Sequence, residues 1–124
     1  MKYSSEITGF GPEAFAFLDP GLSDLNFVII FNEDAPPELA ELAILHTKAE
    51  LIAEPAKGDI LMIGENVFTI TAVGYEAPQT LKELGHCTLA FGGGEEAFRP
   101  GCIMLDGPVL SKDTVKVGDR IEIY

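Results

Sequence analysis

Lys57 to Gly74 reads KGDILMIGENVFTITAVG, two short apolar runs, Ile60 to Ile63 and Asn66 to Val73, meeting across Gly64, Glu65 and Asn66. Runs rich in β-branched and aromatic residues and closed by glycine are strand material, and a gap of this size and composition is a hairpin turn. Outward from this hairpin, similar runs recur at Leu25 to Phe31, Cys87 to Phe91, Cys102 to Leu105 and Arg120 to Tyr124. Thirteen glycines and eight prolines separate them, the punctuation of many short strands joined by turns. The pattern predicts an all-β fold, barrel or sandwich, and of these a single closed or partly open β-barrel of short strands with one or two short helices. Lys57-Gly58-Asp59 and Val117-Gly118-Asp119 each precede an apolar run, which reads as one turn used twice and hints at internal repetition.

Two segments have helical composition. Pro78 to Leu84 is a short helix in this reading, with Leu81 and Leu84 on one face and Gly85 as its left-handed stop. Pro36 to Leu51 is rich in Ala, Glu, Leu and Lys, so a helix over all of it is one alternative. Patterning favours the other, a short helix through about Leu42 followed by a strand from near Ala43. That strand would turn Leu45, Thr47, Ala49 and Leu51 to the core and Ile44, His46, Lys48 and Glu50 outward, placing His46 beside Lys48 on an accessible face.

At 124 residues the chain has the length of one ordinary domain, 1–124, and 47% hydrophobic residues suffice for one core. Twenty acidic against eight basic residues set a net charge of -12, which repels nucleic acid and anionic membrane surfaces and steers basic protein partners into encounter. Cys87 and Cys102 form neither a zinc-type pair nor a disulfide framework and read as buried thiols. Met1 and Lys2 lead into Tyr3, Ser4, Ser5 and Glu6, with no apolar core of a signal peptide, and no apolar run is long enough to span a bilayer as a helix. A cytoplasmic location is the expectation.

The chain has two histidines, His46 and His86. A neutral imidazole can attack a phosphoryl group, bind a metal or relay a proton without heavy tuning of its pKa. On spacing alone, a hydrogen-bonded structural histidine is the commoner outcome at both positions. Gly92-Gly93-Gly94 is followed by Glu95 and Glu96 rather than by Lys and Ser or Thr, so it reads as a flexible turn and not as a phosphate loop. No ligand spacing points to a metal, and no cofactor is expected. A β-barrel binding module without histidine chemistry, or a metal-binding protein, are the competing functional classes; zero tryptophan and three tyrosines speak mildly against sugar stacking.

Four segments together resemble one family: Ile44-Leu45-His46, TAVG at Thr71 to Gly74, LKELGHCTLAFGGG at Leu81 to Gly94, and RPGCIMLDGPV at Arg99 to Val109. The chain, from about Asn26 to its end, resembles the glucitol/sorbitol-specific IIA component of the bacterial phosphoenolpyruvate-dependent sugar phosphotransferase system. The resemblance implies a phosphoryl carrier in which His46, the histidine of the ILH motif, receives the group from HPr and hands it to a IIB component for uptake of glucitol/sorbitol. It also implies contact with the membrane only through the permease. His86, from the LGH motif, is then the candidate helper, and Lys48 the candidate charge partner of the phosphate. Family members carry a second histidine two residues after the first, where this chain has Lys48. Phe15, Phe17 or other exposed apolar residues are the candidates for an apolar patch around His46 that meets such partners.

Overall fold

The computed structural model describes residues 1–18, 26–108 and 110–124. Among these residues eight strands and two short helices follow one another: β1 (Tyr3–Phe10), β2 (Asn26–Asn32), α1 (Pro37–Ala40), β3 (Ala43–His46), β4 (Ile60–Ile63), β5 (Asn66–Val73), α2 (Ala77–Leu84), β6 (Cys87–Phe91), β7 (Cys102–Asp106) and β8 (Arg120–Ile123). The strands close into a barrel in the order β1-β3-β2-β6-β7-β5-β4-β8, with β8 pairing back to β1. β2–β3 and β6–β7 are parallel and the remaining pairs antiparallel. Closure leaves no free sheet edge, and Val28, Ile30, Ile44, Leu61, Ile63, Ile70, Leu89, Ile103, Leu105, Ile121 and Ile123 fill the interior.

The expected hairpin is present, with Ile60 paired to Thr69 and Ile63 to Asn66. Of the predicted strand at Leu25 to Phe31, Leu25 lies outside the described residues, and the observed strand runs to Asn32. Strand β1 was not expected, because only Tyr3, Ser5 and Ile7 on its inner face are buried and one of these is polar. α2 ends as predicted, on Gly85 at φ 62°, but its buried stripe is Ala77 and Leu81, one turn apart, while Leu84 is exposed. α1 stops at Ala40, two residues short of the expectation, and β3 begins at Ala43 as expected but ends at His46.

The repeated turn is a structural repeat. Asp59 Oδ2 accepts from Ala56 N–H at 2.9 Å and Asp119 Oδ2 from Lys116 N–H at 3.0 Å. Gly58 and Gly118 have φ of 95° and 98°, and each donates across to the next strand, to Ile70 O at 2.8 Å and Ile7 O at 2.9 Å. The equivalence extends through the barrel: β4-β5-β6-β7 repeats β8-β1-β2-β3, the chain ends lying where the second hairpin would turn. Both copies carry an irregularity at the same place, between Ile7 and Gly9 opposite β3 and between Ile70 and Ala72 opposite β7. Matching Ile7 with Ile70 aligns Ile44 with Ile103 and His46 with Leu105. The parallel pairs then align Ile30 with Leu89 and Asn32 with Phe91.

Candidate functional site

His46 ends β3, the strand held between β1 and β2. Its backbone partners are Ile7 on β1 and Asn32 on β2. Ile7, Ile30 and Ile44 all point into the barrel, and strand parity therefore turns His46 inward as well. The accessible-face expectation is thereby corrected: His46 is 0% exposed, Ile44 is in the core, and Leu45 faces the outer side. A four-residue segment with apolar residues on both faces does not choose its own parity; its neighbours do, and a shift of one residue exchanges the faces.

Both ring nitrogens of His46 meet backbone carbonyls. Nε2 lies 2.7 Å from Gly85 O and Nδ1 2.9 Å from Thr47 O. A neutral imidazole has one N–H, so it donates to one carbonyl and presents a lone pair to the other. Gly85 caps α2 in the left-handed region and lies against the edge of the ring: a Cβ there would stand 2.8 Å from His46 Cε1 and 2.0 Å from Asn32 Oδ1. Tyr3 meets the ring edge-on, with centroids 6.1 Å apart. Burial pushes the Tyr3 hydroxyl up to about 12, so it stays protonated. Burial also lowers the His46 pKa below its ordinary value, against the opposing pull of the Gly85 and Thr47 carbonyls and the Glu33 charge. The ring is neutral at neutral pH, the form that can act as a nucleophile.

The comparisons with known proteins fall on this geometry. The profile of the PTS system glucitol/sorbitol-specific IIA component matches residues 2–122. The chain belongs to that family. Glucitol/sorbitol-specific EIIA components of Escherichia coli and Shigella flexneri are each 38% identical over 107 residues, covering 86% of this chain and 83% of theirs. The crystal structure of a PTS system IIA component from Enterococcus faecalis superposes with a TM-score of 0.71 at 25% identity, covering 96% of this chain and 97% of that one. The chain is thus a phosphotransferase component of a sugar phosphotransferase system, built on the closed barrel.

In this IIA component the other two expected site residues stand apart from the His46 ring. Lys48, two residues past β3, pairs with Asp34 at 2.7 Å, where both side chains are largely exposed. The pair raises the lysine pKa and lowers that of the aspartate. The half-buried His86 ring packs on Phe31 with centroids 4.8 Å apart, and its Nδ1 lies 3.2 Å from Ile30 O. Cys87, the next residue, is in the core, so His86 faces the outer side of the sheet and His46 the inner. The LGH motif reaches His46 through the carbonyl of Gly85 and not through the His86 ring. Phe15 packs on Phe10, and Phe17 stacks on Phe27 at 4.7 Å, so neither ring stands free. Among the described residues no helix is long and apolar enough to cross a membrane, and no three His, Cys, Asp or Glu side chains are grouped to hold a metal.

Sequence reasoning read Gly85 only as a helix stop and passed over Asn32. Asn32 was legible by parity: it lies two residues beyond Ile30 in the run NFVIIFN, on the same inward face. The Gly85 carbonyl had no signal, since a main-chain contact across the barrel leaves no trace in residue type.

The depressed His46 pKa has a consequence for stability. In the unfolded chain the imidazole titrates near 6.5. Between that value and the lower folded one, the unfolded state binds a proton that the native state does not, so stability falls as pH falls through this window. Thermal melts across the window should show the wild type losing stability more steeply than His46→Gln. Parallel slopes for the two would show that His46 is not buried as a neutral base.

Proposed function

We propose that this IIA component accepts a phosphoryl group from phospho-HPr on His46 and passes it to the IIB component of a glucitol/sorbitol permease. The carrying observation is a buried, neutral imidazole whose Nε2 is clamped 2.7 Å from a carbonyl inside the barrel, in a chain of the glucitol/sorbitol IIA family. With its proton on Nε2 and donated to Gly85 O, the ring keeps its lone pair on Nδ1. Nδ1 abuts Thr47 O, which belongs to the irregular segment after β3, and a small turn of that peptide uncovers it.

The Nδ1 lone pair attacks the phosphorus of the donor phosphohistidine in line. The new P–N bond forms as the donor P–N bond breaks, and the donor imidazole leaves with its electron pair. One phosphoramidate replaces another, so the step is close to thermoneutral and reversible, and positioning supplies most of the catalysis. Transfer to IIB repeats the exchange in the other direction. Lys48 lies beside the freed peptide and moves from Asp34 to the phosphoryl oxygens, which carry close to two negative charges. His86 supports the site from outside, by fixing the corner that holds Gly85. The net charge of -12 draws in a basic donor, in the cytoplasm, where the chain meets the membrane only through the permease.

Incubation with phosphoenolpyruvate, enzyme I and HPr, followed by intact mass measurement at neutral pH, should show one acid-labile phosphoryl group that the IIB component removes. Lys48→Gln should fold normally, since a solvent-screened surface pair adds little to stability, yet be labelled several-fold more slowly. A wild type that stays unlabelled with competent partners would sink the reading.

A further inference from the structure

The internal repeat shows what the barrel places at these positions when only packing is required. In the half formed by β4 to β7, the positions equivalent to Ser5, Asn32 and His46 are Phe68, Phe91 and Leu105. All three are buried, and the two phenylalanine rings pack with centroids 5.2 Å apart. The half that carries His46 has a buried serine and a buried asparagine in their place, on the two strands that flank His46. At these three positions one half of the barrel carries hydrocarbon and the other carries polar side chains.

Tyr3, Ser5 and Asn32 in the polar half each have a buried polar atom without a hydrogen-bond partner among the described residues, and Asn32 is the one that also meets Gly85 beside the His46 ring. It is 9% exposed, it pairs in register with His46, and its Oδ1 is buried without a hydrogen-bond partner among the described residues. The carboxamide meets Gly85 at the same point where Gly85 meets the His46 ring, 2.0 Å and 2.8 Å from the position of a Cβ on that glycine. A buried amide left without a partner is a cost that a leucine or phenylalanine would avoid, and the equivalent half avoids it with Phe91. A buried unsatisfied group calls for an explanation, and a catalytic role is one of the recognised ones.

We propose that Asn32 is a further catalytic residue of the phosphoryl transfer, its carboxamide N–H donating to a phosphoryl oxygen on His46. The inference rests on the reading of His46 as acceptor. Rotation of the amide by half a turn exchanges its oxygen and its NH2 within the same outline, so the end that meets Gly85 can present a donor once an anion arrives. A donor fixed inside a dry barrel end acts where charge builds on the transferring group and needs no reorganisation from solvent.

The test uses the full chain with phosphoenolpyruvate, enzyme I and HPr, and reads the initial rate of labelling beside the melting temperature. Asn32→Leu should fold with a melting temperature at or above that of the wild type, because it matches the apolar half, yet be labelled roughly 10- to 100-fold more slowly. Asn32→Asp, which keeps the shape and offers no donor when ionised, should be slowed at least as much. Wild-type rates in both variants would overturn the inference while leaving His46 as acceptor. A fall in melting temperature of Asn32→Leu that accounts for the lost rate would also overturn it, by showing a structural role. A wild type that takes no label would instead bring down the reading on which it rests.

Discussion

His46→Gln will fold and will not be phosphorylated. Glutamine reaches about as far as histidine and keeps an N–H for the Gly85 carbonyl, which now lies 2.7 Å from Nε2, so the barrel end is not left with an abandoned acceptor. Leaving a buried partner unmatched would cost about 1–3 kcal/mol, and the amide avoids most of it. What glutamine lacks is a nucleophilic ring nitrogen: an amide nitrogen shares its lone pair with the carbonyl. Labelling should therefore fall to background and not merely slow, because no other group in the barrel end can hold a P–N bond. His86→Gln should retain stoichiometric label, since its ring lies against Phe31 on the outer side of the sheet. Intact mass measured at neutral pH, after equal exposure to the donor system, reads both variants. Stoichiometric label on His46→Gln would remove His46 as acceptor.

Gly85→Ala will damage stability and transfer together. Gly85 sits at φ 62°, where a residue with a Cβ is strained by about 1–2 kcal/mol. The new methyl would also stand 2.0 Å from Asn32 Oδ1, 2.6 Å from Asn32 Cγ and 2.8 Å from His46 Cε1, all three belonging to buried side chains. These cannot swing into solvent, so the α2–β6 corner must lift, and overpacking of this kind adds about 1–3 kcal/mol. The same lift withdraws the carbonyl that holds the His46 ring. A thermal melt should show a loss of about 10 °C or more, and the labelling rate should fall about a hundredfold, the scale expected when the reacting groups are displaced by an ångström. Gly93→Ala separates the two causes. Gly93 has φ 73°, but a Cβ there would meet its nearest neighbour, Asp106 Cβ, at an ordinary 3.5 Å. It should cost the backbone strain alone and leave labelling unchanged. Equal effects at both glycines would mean that backbone strain, not the crowding of Asn32 and His46, is what matters.

Strands with β-branched runs and glycine boundaries were readable to within a residue, as at Ile60–Ile63, Asn66–Val73 and Cys87–Phe91, because a half-buried pleat demands that composition. β1 was not, since a strand whose inner face includes a serine and whose outer face is polar lacks the amplitude that marks a strand. The turn repeated at Gly58 and Gly118 pointed to a doubling that is real, and the doubling says more about the site than either histidine motif does. The candidate acceptor was named through resemblance, and its orientation did not come from the sequence. In Ala43–His46 both faces are apolar enough to be core, and β1 and β2 decide which one is. Contacts made by main-chain carbonyls, such as Gly85 O and Thr47 O on His46, are set by the path of the chain and are invisible to residue type.

The most direct measurement locates the phosphoryl group. The wild type, uniformly labelled with nitrogen-15 and phosphorylated by enzyme I and HPr, should give a single phosphorus resonance with one-bond coupling to Nδ1 of His46, while the Nε2–H of the same ring remains protected from exchange. Coupling to a nitrogen of His86, the more accessible of the two rings, would contradict the account at its centre.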